Sequence, residues 1–198
     1  MGAGILPTTI YKNKLYFLFG KENKYEDTAP GFGDFGGGTD NNESYLETAI
    51  REGCEELTGF LGSEEDLKNL LNKYGTYNID VKTSSGSIYR IHLFPLEYDD
   101  KLPFYYNNNQ QFLQKRLYPN VIKNSKIFEK EEIRWICVDD LLKMKSKFRF
   151  FYGKTLERIY KERNNIKKFI DHGLNNKSVN LKKRTRRVRT SKSNTRRK

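Results

Sequence analysis

The chain has 198 residues, 36% of them hydrophobic and 14% aromatic, with a formal charge of +12. That length fits one main domain plus a tail, and the Tyr and Phe rings can supply much of the buried apolar area. No apolar run is long enough to span a bilayer, and the start, MGAGILPTTIYKNKLYF, lacks the basic-then-apolar order of a secretory signal, so none is expected.

Ile5 to Phe19 reads as one or two short strands turning near Lys12-Asn13-Lys14. Lys21 to Gly38 is polar and glycine-rich and is expected to be a loop with several positions free to take positive φ. Asn42 or Ser44 then caps a helix in which Leu46, Ala49, Ile50, Cys54 and Leu57 recur at helical spacing, and Thr58-Gly59 supplies a stop. A second short helix follows a Ser63 cap. Thr76 to Val81 and Ser87 to Leu96 form a hairpin around Ser84-Ser85-Gly86. A helix is expected around Gln110–Arg116, a strand over Ile133–Val138, a short helix near Asp139-Asp140, and a longer one from about Gly153 to Ile170. Beyond Asn175 the chain is polar and then basic, and disorder is expected there without a polyanion. Strands this unevenly separated by helices predict a mixed α/β fold rather than a doubly wound sheet.

The chemistry concentrates in GGGTDNNESYLETAIREGCEELTG, residues 36–59. Glu52 and Glu56 are four residues apart and Glu55 is three from Glu52, so all three share a helix face. Like charges at those spacings repel, so stability does not select them. A divalent cation reverses that sign, and Mg²⁺ prefers carboxylate oxygen together with substrate phosphate. The glycine loop lacks the Gly-Lys-Ser/Thr that follows in a phosphate-binding P-loop. Cys54 and Cys137 form no metal-ligand pattern and read as small buried hydrophobes in a reducing compartment. Trp135 reads as a core residue and His92 as a structural strand residue.

Gly37, five residues, Glu43, seven residues, then Arg51-Glu52-Gly53-Cys54-Glu55-Glu56 closely resembles the Nudix box, the signature of hydrolases acting on nucleoside diphosphates linked to another moiety. The resemblance implies an α/β fold, a Nudix-type α/β/α sandwich around a mixed sheet, with the box as a loop–helix–loop. It implies Mg²⁺ or Mn²⁺ held by Glu52, Glu55 and Glu56, with Glu43 in the loop or binding metal indirectly. Arg51 would orient the glutamates, and Gly37 and Gly38 would form the turn into the helix. Related enzymes often draw a general base from outside the box, for which Glu129 is the preferred candidate over Glu131 and Glu132. Two positions depart from the pattern: Gly53 stands where the family has a bulky aliphatic residue, and Thr58 where it has glycine.

The resemblance covers residues 5–145 by layout, and the domain is expected over 1–175 with a basic tail over 176–198. Lys182 to Lys198 holds ten of the positive charges and no acid, which leaves 12 − 10 = +2 for the rest. Lys182, Lys183, Arg184, Arg186, Arg187 and Arg189 are candidate RNA contacts, and Lys154, Arg158, Lys161, Arg163, Lys167 and Lys168 extend the basic character along the preceding helix. The box segment is also similar to Nudix proteins of large cytoplasmic DNA viruses. Several of these resemble mRNA-decapping enzymes and some accept diphosphoinositol polyphosphates. That implies a metal-dependent hydrolase in the cytoplasm, of the host if viral, or in a virion. Its substrate would be capped mRNA, cut to methylated guanosine diphosphate and 5′-monophosphate RNA. The alternatives are free nucleotides or diphosphoinositols, or a catalytically weak RNA-binding Nudix protein.

Overall fold

A computed structural model describes residues 1–193 except 26–27, 41, 84 and 126–128, with side chains described as far as residue 175. The central strand is β1 (Gly2–Tyr11), buried along its first eight residues because elements cover both of its faces. One edge of β1 runs parallel to β6 (Ile88–Pro95), in register from Gly2↔Tyr89 to Thr8↔Pro95. Its other edge is shared. The first half pairs antiparallel with β4 (Phe35–Gly38), and the second half forms a hairpin with β2 (Lys14–Glu22). β2 continues past β1 to pair with β3 (Phe32–Gly33) on one side and β7 (Lys130–Cys137) on the other. β5 (Tyr77–Lys82) closes the far edge against β6 in the expected hairpin, of which Ser84 lies outside the described residues.

Helices cover both faces, so the α/β/α sandwich with a mixed sheet is the observed architecture. On one face, α1 (Tyr45–Glu56), α2 (Glu64–Tyr74) and α3 (Lys101–Arg116) pack with Ala3, Ile5, Leu18, Phe94 and Ile133. On the other, α5 (Gly153–Ser193) packs Leu156, Ile159, Ile166 and Ile170 onto Leu6, Phe17, Ile91 and Leu93. Alternate residues of β1 and β2 thus serve opposite cores, as the two-residue strand repeat requires. α4 (Pro119–Lys123) is a single short turn of helix after α3. Among the described residues no helix is long and apolar enough to cross a membrane.

The expected loop over Lys21–Gly38 is corrected. β2 runs on to Glu22, and Gly36 to Gly38 are strand β4; of the glycines in this stretch only Gly31 has positive φ, at 116°. Space rather than backbone freedom explains the run. A Cβ at Gly36 would stand 2.3 Å from Gly4 Cα and 2.4 Å from both the Ala3 carbonyl oxygen and the Tyr89 hydroxyl. Gly2 and Gly4 on β1 likewise make room for Tyr89, whose hydroxyl donates to the buried Asp34 at 2.9 Å. The helix expected around Gln110–Arg116 begins at Lys101, and the one expected to end near Ile170 continues, in backbone, to Ser193. Trp135 is half-buried against the α1-side core and donates to the Asp99 carbonyl at 3.0 Å. Cys137 is buried, Cys54 is half-buried, and both are free thiols.

Gly36→Ala should destabilise the protein by about 2 kcal/mol or more, because backbone atoms cannot yield to the new methyl. Gly38→Ala, with nothing within 4 Å of its Cβ position, should change stability by no more than about 0.5 kcal/mol. Urea unfolding of both variants checks this, and equal losses would contradict the packing account of the glycine run.

Candidate metal centre

α1 is started by a capping box: the Ser44 hydroxyl accepts from the Glu47 N–H, and the Glu47 carboxylate accepts from the Ser44 N–H at 2.8 Å. Its end explains one departure from the box pattern. Gly59 N–H donates to the Cys54 carbonyl and Thr58 N–H to that of Glu55, with Thr58 left-handed at φ 49°. This is the glycine-favouring position of a Schellman cap, here occupied by a β-branched residue at a cost of about 1 kcal/mol. The other departure is steric. A Cβ at Gly53 would stand 2.4 Å from Ile5 Cδ1, so the small residue lets α1 lie close on β1.

That close packing places the carboxylates. Gly37 on β4 faces Glu52, and a Cβ there would overlap the Glu52 carboxyl group at 2.6–2.8 Å. Glu52 Oε1 accepts from Arg51 Nη1 at 2.8 Å. Arg51 also grips Glu43, through Nε at 2.8 Å and Nη2 at 3.1 Å, and donates to the Gly38 carbonyl at 3.1 Å. Glu43 further accepts from Thr48 Oγ1 at 3.0 Å and Asp40 N–H at 3.1 Å. The Arg51 contact, above all, brings the Glu43 carboxyl down to about 2, and Glu43 in turn raises Arg51. Glu43 therefore ties the loop to α1. Glu55 stands 3.8 Å from Arg51.

Among the described residues, one group of carboxylates converges: Glu52, Glu56 and Glu129 each offer an oxygen within 4.8 Å of the others. Glu129, on the segment leading into β7, thus joins the helix residues from outside the box. Glu43 and Glu55 are not members of that group. Glu131 pairs with Lys21 at 2.5 Å and Glu132 with Arg134 at 2.5 Å, so neither alternative base stands with the three.

Glu56 is buried, and three groups hold it. Gly36 N–H donates to Oε2 at 2.9 Å, Lys130 Nζ lies 2.9 Å from Oε1, and Tyr106 Oη donates to the Glu56 carbonyl at 2.7 Å. Lys130 is fully buried and also bonds Glu22, which Arg149 reaches at 2.9 Å. A register shift between Lys21 and Glu22 sets Glu22 directly opposite Lys130 and displaces Glu131 from the ladder. Burial pushes the Glu56 carboxyl up to about 8 against the opposing pull of Lys130, with Glu22 adding to the rise. For Lys130 burial works the other way, but Glu56 and Glu22 outweigh it and hold the ammonium above its ordinary value.

Sequence reasoning missed Lys130, Glu22 and Tyr106. Glu22 and Lys130 are ordinary surface choices in GKENK and EKEEI, and only the strand pairing turns them inward; Tyr106 lies on the first half of α3, ahead of the helix expected from Gln110. The candidate RNA contacts Lys182, Lys183, Arg184, Arg186, Arg187 and Arg189 have side chains outside the described residues.

The donor set fits a divalent ion. All three converging groups are hard carboxylate oxygens, and the Glu56 oxygens keep lone pairs beyond the hydrogen bonds they accept. Burial disfavours charge on the Glu56 carboxyl, and a cation beside it offsets that penalty.

No protein-family model matches the chain, and no curated protein matches it as a relative. Solved structures resemble it at low identity. A Caenorhabditis elegans Ap4A hydrolase binary complex is 15% identical, covers 83% of this chain and 99% of its own, with a TM-score of 0.49. A Nudix hydrolase of Mycobacterium smegmatis, RenU, is 13% identical over 83% and 86% at 0.44. A MutT protein of Methanosarcina mazei is 16% identical over 82% and 93%, also at 0.44. Likeness at this level assigns no activity.

Because binding needs the Glu56 carboxylate, Mg²⁺ should expel a proton below about pH 8 and none well above it. Affinity should therefore rise by up to about tenfold per pH unit between about pH 6 and 8, then level off. Calorimetry in buffers of different ionisation enthalpy measures the proton released. An affinity flat across that range would contradict the assignment of Glu56.

Proposed function

We propose that the protein is a Nudix-type hydrolase that cleaves a phosphoanhydride bond with Mg²⁺ or Mn²⁺ held by Glu52 and Glu56. The observation that carries this reading is the convergence of three carboxylates, each offering an oxygen within 4.8 Å of the others, with the glycines of β4 beside them. The bound ion would neutralise phosphate charge and lower the pKa of water. The rest of the work belongs to the chain. Arg51 orients Glu52 and keeps Glu43 on the loop, while Gly36 N–H and Lys130 fix the two oxygens of Glu56. Glu129, brought in from outside the helix, takes the proton of the attacking water. Glu55 stands beside Arg51 on the same helix.

The substrate class this site supports is a diphosphate linked to another moiety, either a free nucleotide or a diphosphoinositol polyphosphate. Capped mRNA is a second reading, favoured by the ten cations of residues 182–198 and by the similarity of the box segment to viral Nudix proteins. In that reading residues 176–198 are a tail that draws RNA to the domain at 1–175.

Glu52→Gln and Glu56→Gln should each lower kcat by at least about a hundredfold. Glu129→Gln should lower kcat with metal affinity largely kept, by about the 10²–10⁴ of general-base catalysis. Assays with Mg²⁺ or Mn²⁺ on free nucleotides, diphosphoinositols and capped RNA, read by product identity, give both results. Full turnover in both helix variants sinks the site. Release of methylated guanosine diphosphate from capped RNA selects the second substrate reading, and its absence beside active small-substrate hydrolysis rejects it.

A further inference from the structure

α3 has two sides of opposite character. Its inner side is clamped to the metal centre. Tyr106 Oη donates to the Glu56 carbonyl at 2.7 Å and to that of Lys130 at 3.3 Å. Asn107 bonds both backbone groups of Ile133, donating through Nδ2 at 3.1 Å and accepting through Oδ1 at 2.8 Å. The outer side leaves large rings in solvent: Phe104 is 60% exposed, Tyr105 57% and Phe112 60%, and Tyr118 just beyond the helix is 82% exposed.

At about 100° per residue, Lys101, Phe104, Tyr105, Phe112, Lys115 and Arg116 fall within roughly a third of the helix circumference. Aromatic rings and cations are therefore interleaved on one face. The Arg116 guanidinium lies over the Phe112 ring at 5.9 Å, and the Phe104 and Tyr105 rings meet edge to face at 5.3 Å. Charge across this stretch has one sign. Residues 101–128 contain five Lys or Arg and no Asp or Glu, in a chain with 25 acids. A surface made to stay solvated would carry both signs, and one made for a protein core would not keep its cations. Exposed rings with flanking cations and no acids match a flexible polyanion whose repeating unit has a flat face.

We propose that the outer face of α3 is a docking surface for single-stranded nucleic acid, whose bases stack on Phe104, Phe112 and Tyr118 while Lys115 and Arg116 take the phosphates. Duplexes do not suit it, because their bases are already stacked on one another. If the hydrolase reading holds, a strand on this face lies across α3 from the contacts that clamp it to the metal centre.

The test is fluorescence anisotropy of the full chain with labelled single-stranded RNA and DNA of about ten nucleotides. Raising the salt suppresses the phosphate attraction of the tail and leaves stacking in place. Phe104→Ser/Phe112→Ser should weaken single-strand binding at raised salt by roughly tenfold or more, with an unchanged thermal midpoint. Lys115→Gln/Arg116→Gln should reduce the slope of log affinity against log salt by about 1.5. Unchanged affinity in the ring variant overturns the proposal. So does duplex RNA bound as tightly as single strands, or self-association that the ring variant abolishes while RNA affinity stays the same. Failure of the wild type to hydrolyse any phosphoanhydride would reject the hydrolase reading and leave this binding result standing on its own.

Discussion

A fully buried ammonium is tolerated only where carboxyl partners hold it, and Lys130 meets that condition through Glu22 and Glu56. The pairing joins β2, β7 and the end of α1, three elements distant in sequence. Removing one partner of such a cluster leaves an uncompensated buried charge at a cost of about 3–5 kcal/mol. The same contact decides where the Glu56 carboxyl points, and so whether it meets Glu52 and Glu129. Fold and site therefore share one electrostatic constraint.

The glycines serve that constraint sterically. Gly53 lets α1 approach β1, Gly37 clears the volume that Glu52 occupies, and Gly36 offers its N–H to Glu56 while leaving room for Tyr89. Arg51 sets the remaining orientation by bonding Glu43 and Glu52 together. Three glycines and one guanidinium thus place two glutamates that would otherwise repel each other. A site prepared this way presents its negative charge to a cation without a large rearrangement, which is the general basis of preorganised binding.

Much of this was legible in the residues themselves. The carboxylate spacing, the Ser44 cap, the glycine run and the two-faced strands follow from periodicities of about 3.6 and 2 that need no tertiary information. Glu129 could be nominated from its place before a strand, though nothing local separates it from Glu131 or Glu132. What could not be read depends on pairing at a distance. The glycine run looks like a loop because its strand character comes from β1, and glycine has low strand propensity of its own. Lys130 looks like surface charge because its partner is 108 residues away, and a register shift brings them opposite. The length of α3 was hidden by Pro103 and a run of Asn and Gln, which dilute any apolar repeat; polar clamps onto β7 replace the missing apolar stripe.

The arrangement as a whole describes a cation site on one helix, with a third carboxylate brought beside it at a strand entrance and a buried lysine bonded to Glu56. Electron paramagnetic resonance of Mn²⁺ tests this most directly, by comparing wild type with Glu56→Gln and with Glu132→Gln, a neighbouring carboxylate outside the convergent group. The account predicts that Glu56→Gln loses at least about tenfold in Mn²⁺ affinity and that Glu132→Gln binds as the wild type does. Undiminished Mn²⁺ binding by Glu56→Gln would contradict it.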